Sequence, residues 1–247
     1  MSIESQADLD GVRRVGRTVA LILEEMCAKV RVGMTTAELD RIGADALSRH
    51  GARSAPRVIY GFPGFTCISV NQEIVHGVPG PRRLQPGDVV KIDVTAEQGR
   101  YIADAARTVV LEPSSAEAAR LHRTAVVALD EAVLAARAGT RVSAIGRAVE
   151  QRARTAGFAV VRELCGHGVG RAIHEEPSVP NYESPFSRDV LTEGLVIAIE
   201  PMLSLRRTRA VQMPDGWTIR TADGNLAVHE EHTIIVCGDR PIVVTAA

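Results

Sequence analysis

Residues 87–94 read Gly-Asp-Val-Val-Lys-Ile-Asp-Val, a run that begins with glycine and places a carboxylate, Asp93, six residues later. Because β-branched residues dominate this run, it predicts a buried β-strand. A second run, Gly-Leu-Val-Ile-Ala-Ile-Glu at residues 194–200, has the same form 107 positions further on and ends in Glu200. The two runs indicate that the chain contains an internal repeat.

A pair of helices precedes each of these runs. Apolar residues at helical spacing predict the first pair, and a shift of 106 residues aligns it with a second pair over about 35 residues without a gap. Gly33 then falls on Gly139, and Gly51 falls on Gly157, at the points where the helices should end. Chance similarity of two amphipathic helix pairs would explain the periodicity, but it does not explain the matched glycines and the matched carboxylates.

The repeat predicts the fold class, which is α+β. Each half consists of a helix pair followed by strands, and the two halves should pack about a pseudo-two-fold axis. The halves extend over about residues 8–113 and 116–242, and Glu112-Pro113-Ser114-Ser115 is typical of a short linker between them. We interpret residues 1–247 as a single domain.

The composition argues against several classes of protein. Lys+Arg number 29 and Asp+Glu number 30, a net charge of −1, so the basic face that nucleic-acid binding requires is not expected. No apolar stretch reaches the roughly 18 residues that span a membrane. The four cysteines contain no CxxC pair, and the chain does not begin with a targeting signal, which indicates a reduced, cytoplasmic protein.

Four carboxylates occupy matching places in the two halves. Asp93 and Asp104 lie on either side of a predicted turn at Gln98-Gly99-Arg100, and Glu200 and Glu231 hold the corresponding places in the second half. A pseudo-two-fold axis would bring the four together, where they would repel one another without a cation between them. The pattern therefore predicts two divalent metal ions bridged by shared carboxylates. Salt bridges to Lys91 and Arg107 are the structural alternative.

Three histidines lie in segments punctuated by glycine. His167 lies among three glycines in Cys-Gly-His-Gly-Val-Gly, His174 follows seven residues later, and His76 precedes Gly77. A lone histidine is more often structural, but glycines let the backbone come close to a site and aim the imidazole into it. Together with the carboxylates, these histidines indicate a functional site.

The sequence resembles the type I methionine aminopeptidases in their short bacterial form, from about residue 7 to residue 242. The segments that carry the resemblance are CISVNQEIVHGVP (67–79), GDVVKIDV (87–94), CGHGVGRAIHEEP (165–177), IEPM (199–202), DGWTIRT (215–221) and EHTIIV (231–236). The resemblance implies the pita-bread fold, in which two pseudo-symmetric halves surround a central antiparallel sheet, and a single catalytic domain.

The resemblance also implies an activity, the removal of the N-terminal methionine from nascent proteins and peptides with a small second residue. It implies two divalent ions, and nascent polypeptide N-termini as substrates, with the ribosome as a candidate place of encounter. The residues themselves suit Co, Mn, Fe or Zn and predict no membrane or nucleic-acid partner, and a monomer is expected because no exposed apolar heptad or edge motif is visible. The metal ligands that the resemblance implies are Asp93, Asp104, His167, Glu200 and Glu231. Glu200, His174 and His76 would be catalytic. The substrate would contact His76, His174, Cys67, Phe62 and Trp217.

Two of the departures from the family pattern lie next to implied metal ligands. Ala105-Ala106 stand where the family usually has a hydroxyl pair, which puts the support of the neighbouring carboxylate in doubt. Ala227-Val228-His229-Glu230 stand where a small residue, alanine, glutamine and an aromatic residue are common. Two other functions stay open: an Xaa-Pro aminopeptidase or dipeptidase of the same fold, and a catalytically inactive binding module on that fold.

Overall fold

The computed structural model describes residues 1–246 and contains two helix pairs joined to antiparallel strands. The first pair is α1 (Gln6–Lys29) and α2 (Thr36–Arg49), and the second is α4 (Ala116–Ala135) and α5 (Ser143–Thr155). A short helix, α3 (Ala55–Tyr60), lies between the first pair and the strands. The two predicted helix pairs are confirmed, and α1 and α4 end 106 residues apart, as the repeat requires.

The helices begin and end where local chemistry favours it. Thr35 and Glu38 form a reciprocal capping box at the start of α2. Gly33 and Gly139 do not end α1 and α4 themselves. They lie in the turns that follow, both at φ +84°, a left-handed conformation that glycine adopts without steric cost. The matched glycines therefore mark matched turns.

The strands pair antiparallel throughout the described residues. They are β1 (Arg53–Ser54), β2 (Cys67–Val70), β3 (Glu73–Val75), β4 (Val89–Gln98), β5 (Tyr101–Val110), β6 (Ala159–Val160), β7 (Cys165–Gly168), β8 (Glu175–Pro180), β9 (Val196–Ile199), β10 (Met202–Ser204), β11 (Ala210–Gln212), β12 (Ile219–Thr221), β13 (Ala227–His229), β14 (His232–Ile235) and β15 (Ile242–Val243). The predicted central β-structure is divided into four sheets. The larger two contain β1, β2, β4 and β5 in the first half, and β15-β14-β9-β7-β8 in the second.

The corresponding strands of the two halves differ in one respect. In the first half β4 runs unbroken to Gln98, so Asp93 lies in the middle of a strand rather than at its end. In the second half the equivalent run stops at Ile199 and resumes as β10, with Glu200 and Pro201 between. Proline has no N–H for a ladder hydrogen bond, which explains the interruption.

Each half has an apolar core of its own, and a further apolar cluster, together with polar groups, joins the halves. Helix α1 packs on β4 and β5, α2 packs on α1, β1 and β2, and α4 and α5 pack mainly on the strands of the second half. Between the halves, the backbone N–H of Asp104 donates to Thr233 Oγ1 at 2.9 Å, and Thr233 Oγ1 donates to the carbonyl of Asp104 at 2.7 Å. The N–H of Glu231 donates to the carbonyl of Ala106 at 2.9 Å. The junction between the halves thus carries the predicted carboxylates.

Among the helices of residues 1–246, none combines the length and the apolar character needed to cross a membrane.

Close packing of α5 on the segment that follows β8 gives a test of the fold. A Cβ atom at Gly146 would overlap the carbonyl oxygens of Tyr182 and Pro180, which belong to the backbone and cannot rotate away. In an open helix, Gly→Ala stabilises by about 1 kcal/mol. Here we expect Gly146→Ala to lower the free energy of unfolding by about 1–3 kcal/mol, because overpacking strains a filled site. Urea unfolding monitored by circular dichroism measures the change.

The neighbouring Arg147→Ala is the matched control. Arg147 is exposed in the same helix and forms a surface ion pair with Glu183, so its loss should cost about 1 kcal/mol or less. A Gly146→Ala variant as stable as the native protein would contradict the described packing of α5.

Candidate metal centre

The four predicted carboxylates come together at the junction of the halves. Asp93 on β4 and Asp104 on β5 approach Glu200, which follows β9, and Glu231, which precedes β14. Burial, and then the neighbouring Asp104, raise the pKa of Asp93 well above its usual value. Burial also raises the pKa of Glu231 well above its usual value, and that of Glu200 to about 8. The ionised forms therefore require a positive charge beside them.

His167 projects from β7 into the same cluster. Its Nδ1 lies 2.9 Å from the carbonyl of Gly168, and since a carbonyl only accepts, Nδ1 carries the hydrogen. The lone pair of Nε2 then faces the cluster, with Nε2 3.5 Å from Glu200 Oε1. Asp104, His167 and Glu231 each offer one ligand atom, and these atoms lie within 4.8 Å of one another. A second hydrogen bond that fixes the tautomer is typical of a metal-binding histidine.

These residues fit a divalent metal ion. Asp93 Oδ1 is buried without a hydrogen-bond partner among the described residues, as expected of an oxygen whose partner is a cation. Lys91 is also buried, but its ammonium donates to the carbonyl of Asn71 at 2.8 Å and not to a carboxylate. Within residues 1–246, no lysine or arginine forms an ion pair with the four carboxylates. A mixed oxygen and nitrogen donor set suits Mn, Fe, Co or Zn.

The support of Asp104 comes from a residue that the sequence did not reveal. Thr95 lies opposite Asp104 in the β4–β5 register, and its hydroxyl donates to Asp104 Oδ1 at 2.9 Å. Ala105 and Ala106 stand where the methionine aminopeptidases usually have a hydroxyl pair, and both alanines are fully buried. Thr95 stands two residues after Asp93 and therefore on the same face of the strand. This alternation is the feature of the sequence that could have identified Thr95 as a neighbour of the cluster.

The other two predicted histidines lie beside the cluster. The His174 ring centroid is 4.5 Å from that of His167, and His174 Nδ1 lies 3.1 Å from the hydroxyl of Tyr60. Burial lowers the pKa of both His76 and His174, so both rings tend to be neutral. His76 adopts φ +57°, an uncommon conformation for a residue with a side chain. Tyr60, at the end of α3, was not a predicted site residue.

A cavity of about 250 Å³ opens onto the cluster. All ten predicted site residues line it: Phe62, Cys67, His76, Asp93, Asp104, His167, His174, Glu200, Trp217 and Glu231. On one side, Phe62 and Trp217 meet edge to face with ring centroids 5.3 Å apart, and Cys67 lies opposite Asp93 in the β2–β4 register. Thr95, Tyr60, Met202 and His229 also line the cavity, and none of these was predicted. The cluster and part of the cavity wall could therefore be predicted from the sequence, and the rest of the wall could not.

Comparison with known proteins agrees with this arrangement. The profile of metallopeptidase family M24 matches residues 10–237. Methionine aminopeptidase 2 of Bacillus subtilis (strain 168) is 42% identical over 247 residues, which cover 99% of both chains. The crystal structure of a methionine aminopeptidase from Thermotoga maritima superposes with a TM-score of 0.96 at 31% identity and covers 100% of both chains.

More distant structures share the fold alone. The prolidase from Pyrococcus furiosus superposes with a TM-score of 0.79 at 21% identity, covering 99% of this chain and 65% of that one. The predicted pita-bread fold is confirmed by both kinds of similarity. Taken with the carboxylate–histidine cluster at the junction of two repeated halves, the match over residues 10–237 shows that the chain belongs to metallopeptidase family M24.

Proposed function

We propose that the protein is a metal-dependent methionine aminopeptidase that removes the N-terminal methionine from nascent proteins and peptides with a small second residue. The observation that carries the proposal is that one cavity joins the carboxylate cluster to a wall of sulfur and aromatic side chains. Similarity over nearly the whole length to proteins named methionine aminopeptidase supports it. The fold alone would not support the proposal, because a prolidase shares this fold.

We propose that the cluster holds two divalent ions. Asp93, Asp104, His167, Glu200 and Glu231 would hold them. The unpartnered oxygen of Asp93 and the outward lone pair of His167 support these assignments. Co, Mn, Fe and Zn all accept such donors, and availability in the cell selects among them.

We assign proton transfer in this site to Glu200. Divalent ions bound here would lower the pKa of a shared water and polarise the substrate carbonyl. Glu200 would take a proton from the attacking water and later give it to the leaving amine, as a general base and then a general acid. Its position supports this role, because Glu200 lines the cavity beside the other proposed ligands, with Oε1 3.5 Å from His167 Nε2.

Two histidines would position the peptide. His174 lies between Tyr60 and His167, with Nδ1 beside the phenol hydroxyl. If the hydroxyl donates to Nδ1, Nε2 carries the hydrogen and can stabilise the oxygen that becomes negative during attack. His76 would hold the free amino terminus or the scissile amide. Phe62, Cys67 and Trp217 would enclose the methionine side chain, because sulfur makes favourable contacts with aromatic edges.

The remaining expectations are proposals as well. We propose that the whole chain acts as a single catalytic domain, because both halves contribute carboxylates to one cluster. A monomer would suffice for the same reason. The four cysteines are free, which agrees with a cytoplasmic location. The substrates would be the N-termini of nascent chains.

Metal removal tests the function directly. We expect the protein stripped of metal to release no free methionine from the peptide Met-Ala-Ser, and Mn²⁺ or Co²⁺ to restore the release, because the attacking water depends on the ions. Chromatography of the released amino acid measures the reaction. The peptide Ala-Pro-Ser is the control substrate. Restored cleavage of Ala-Pro-Ser alone would move the protein to the Xaa-Pro enzymes, and cleavage of neither would contradict the proposal.

The variant Asp104→Asn tests the role of the cluster. We expect the loss of activity to exceed the roughly 10- to 100-fold typical of residues that only support a ligand. The metal-free variant should be at least as stable as the native protein, because one of four repelling charges is removed. Peptide assays and thermal unfolding give the two quantities. Asp130→Asn, an exposed change on α4, is the control. An active Asp104→Asn enzyme would contradict the role of Asp104 as a ligand, and a variant that fails to fold would favour a structural role.

The variant Trp217→Ala tests the methionine pocket. Loss of the ring from the wall shared with Phe62 should lower kcat/KM for Met-Ala-Ser by about 10- to 200-fold, the range for a lost apolar contact. Metal affinity should not change, since Trp217 is not a proposed ligand. Trp217→Phe keeps an aromatic edge and should retain most of the activity. Equal kinetics for the alanine variant and the native enzyme would place the methionine side chain elsewhere.

A further inference from the structure

His229 is a buried side chain beside the cluster for which the proposed function has no use. It ends β13 and is only 2% exposed. Its backbone is held firmly: the N–H donates to Thr108 Oγ1 at 3.2 Å, and that hydroxyl donates to the His229 carbonyl at 2.7 Å. On the other side, His229 pairs with Met202 of β10. The direction of its ring is therefore fixed by the sheet.

The ring is aimed at two of the carboxylates. Nε2 lies 3.5 Å from Glu200 Oε2 and 3.8 Å from Glu231 Oε2. Neither ring nitrogen has a hydrogen-bond partner among the described residues. A buried polar group without a partner is unfavourable, so such a group at a functional site calls for an explanation.

His229 and His167 stand in the same relation to Glu200 but must differ in tautomer. His167 Nε2 is 3.5 Å from Oε1, and its Nδ1 hydrogen is taken by the carbonyl of Gly168, so Nε2 offers a lone pair. His229 has no acceptor near Nδ1 among residues 1–246. If Nδ1 carried the hydrogen, that donor would be buried without an acceptor. The lone pair of Nε2 would then face carboxylate oxygens, which is electrostatically unfavourable. A hydrogen on Nε2 avoids both penalties, since a buried acceptor without a partner is tolerated better than a buried donor.

We propose that His229 is a positioning residue that holds the Glu200 carboxylate by donating its Nε2–H to Oε2. Glu200 then has its two oxygens in different surroundings, with Oε2 beside His229 and Oε1 beside His167. A carboxylate fixed in this way cannot rotate about its terminal bond and exchange the two oxygens. The proposal rests on the proposed function, in which Glu200 both holds metal and moves the proton.

The experiment compares three substitutions that separate the donor from the ring. His229→Gln retains an N–H donor, His229→Leu removes all polarity, and His229→Phe keeps a ring without nitrogen. His50→Leu, an exposed change at the end of α2, is the control. For each, calorimetric titration of metal-free protein with Mn²⁺ gives the affinity, Met-Ala-Ser kinetics give kcat and KM, thermal unfolding gives Tm, and visible absorption reports Co²⁺ coordination.

We expect His229→Leu and His229→Phe to lose about 10- to 100-fold in Mn²⁺ affinity and in kcat, the range for a residue that orients a ligand. KM should not change, because the peptide contacts other residues. The Tm of the metal-free protein should change little, because the 3.5 Å contact between Nε2 and Oε2 is longer than a typical hydrogen bond and contributes little to folding without the metal. A purely structural role would instead lower Tm. His229→Gln should recover most of the affinity and most of kcat, and its Co²⁺ spectrum should match that of the native protein.

Two results would overturn the proposal. Native Mn²⁺ affinity and kcat in both apolar variants would show that Glu200 needs no support from His229. Failure of His229→Gln together with an altered Co²⁺ spectrum would show that the imidazole binds metal itself. If the leucine variant does not fold, the phenylalanine and glutamine variants give the same comparison. A native protein inactive on Met-Ala-Ser, with the differences in Mn²⁺ affinity intact, would contradict the proposed function and leave the positioning role standing.

Discussion

The convergence of four carboxylates between two repeated halves is the constraint on which the rest of the structure depends. Buried carboxylates at such short range cannot all be ionised without a cation, and the raised pKa values of Asp93, Glu200 and Glu231 express that cost. The hydrogen bonds between the halves, from Thr233 to Asp104 and from Glu231 to Ala106, lie within the same cluster. These hydrogen bonds and an apolar cluster shared by the halves therefore hold the junction, and the same contacts place the carboxylates of the cation site.

Each of the two repeated halves contributes two of the four carboxylates, and the backbone that carries these carboxylates differs between the halves. Asp93 and Asp104 lie on unbroken ten-residue strands, whereas Glu200 and Glu231 lie in gaps between shorter strands. The gap at Pro201 frees Glu200 from the strand ladder, so that its side chain can lie between the imidazoles of His167 and His229. One half thus offers rigid carboxylates, and the other offers the carboxylate to which proton transfer is assigned.

Much of the fold and the core of the site could be predicted from the sequence, because a repeat is visible in residue identities. The helix pairs, their turn glycines, Asp93 and Glu200 follow from shifts of 106 and 107 residues, whereas Asp104 and Glu231 are predicted from the turn and the strand beside them. The supporting residues could not be predicted in the same way. Thr95 supports Asp104 through a strand register, Tyr60 reaches His174 from a six-residue helix, and His229 acquires its role from the pairing of β10 with β13. Such contacts depend on how distant elements pack against one another, and the local sequence pattern does not specify that packing.

The most direct measurement of metal binding is anomalous X-ray diffraction from crystals of the protein grown with Mn²⁺. Two anomalous peaks are expected inside the cavity, in contact with Asp93, Asp104, His167, Glu200 and Glu231. Diffraction without a peak between these carboxylates, at a Mn²⁺ concentration that supports peptide cleavage, would contradict the central role given to the cluster.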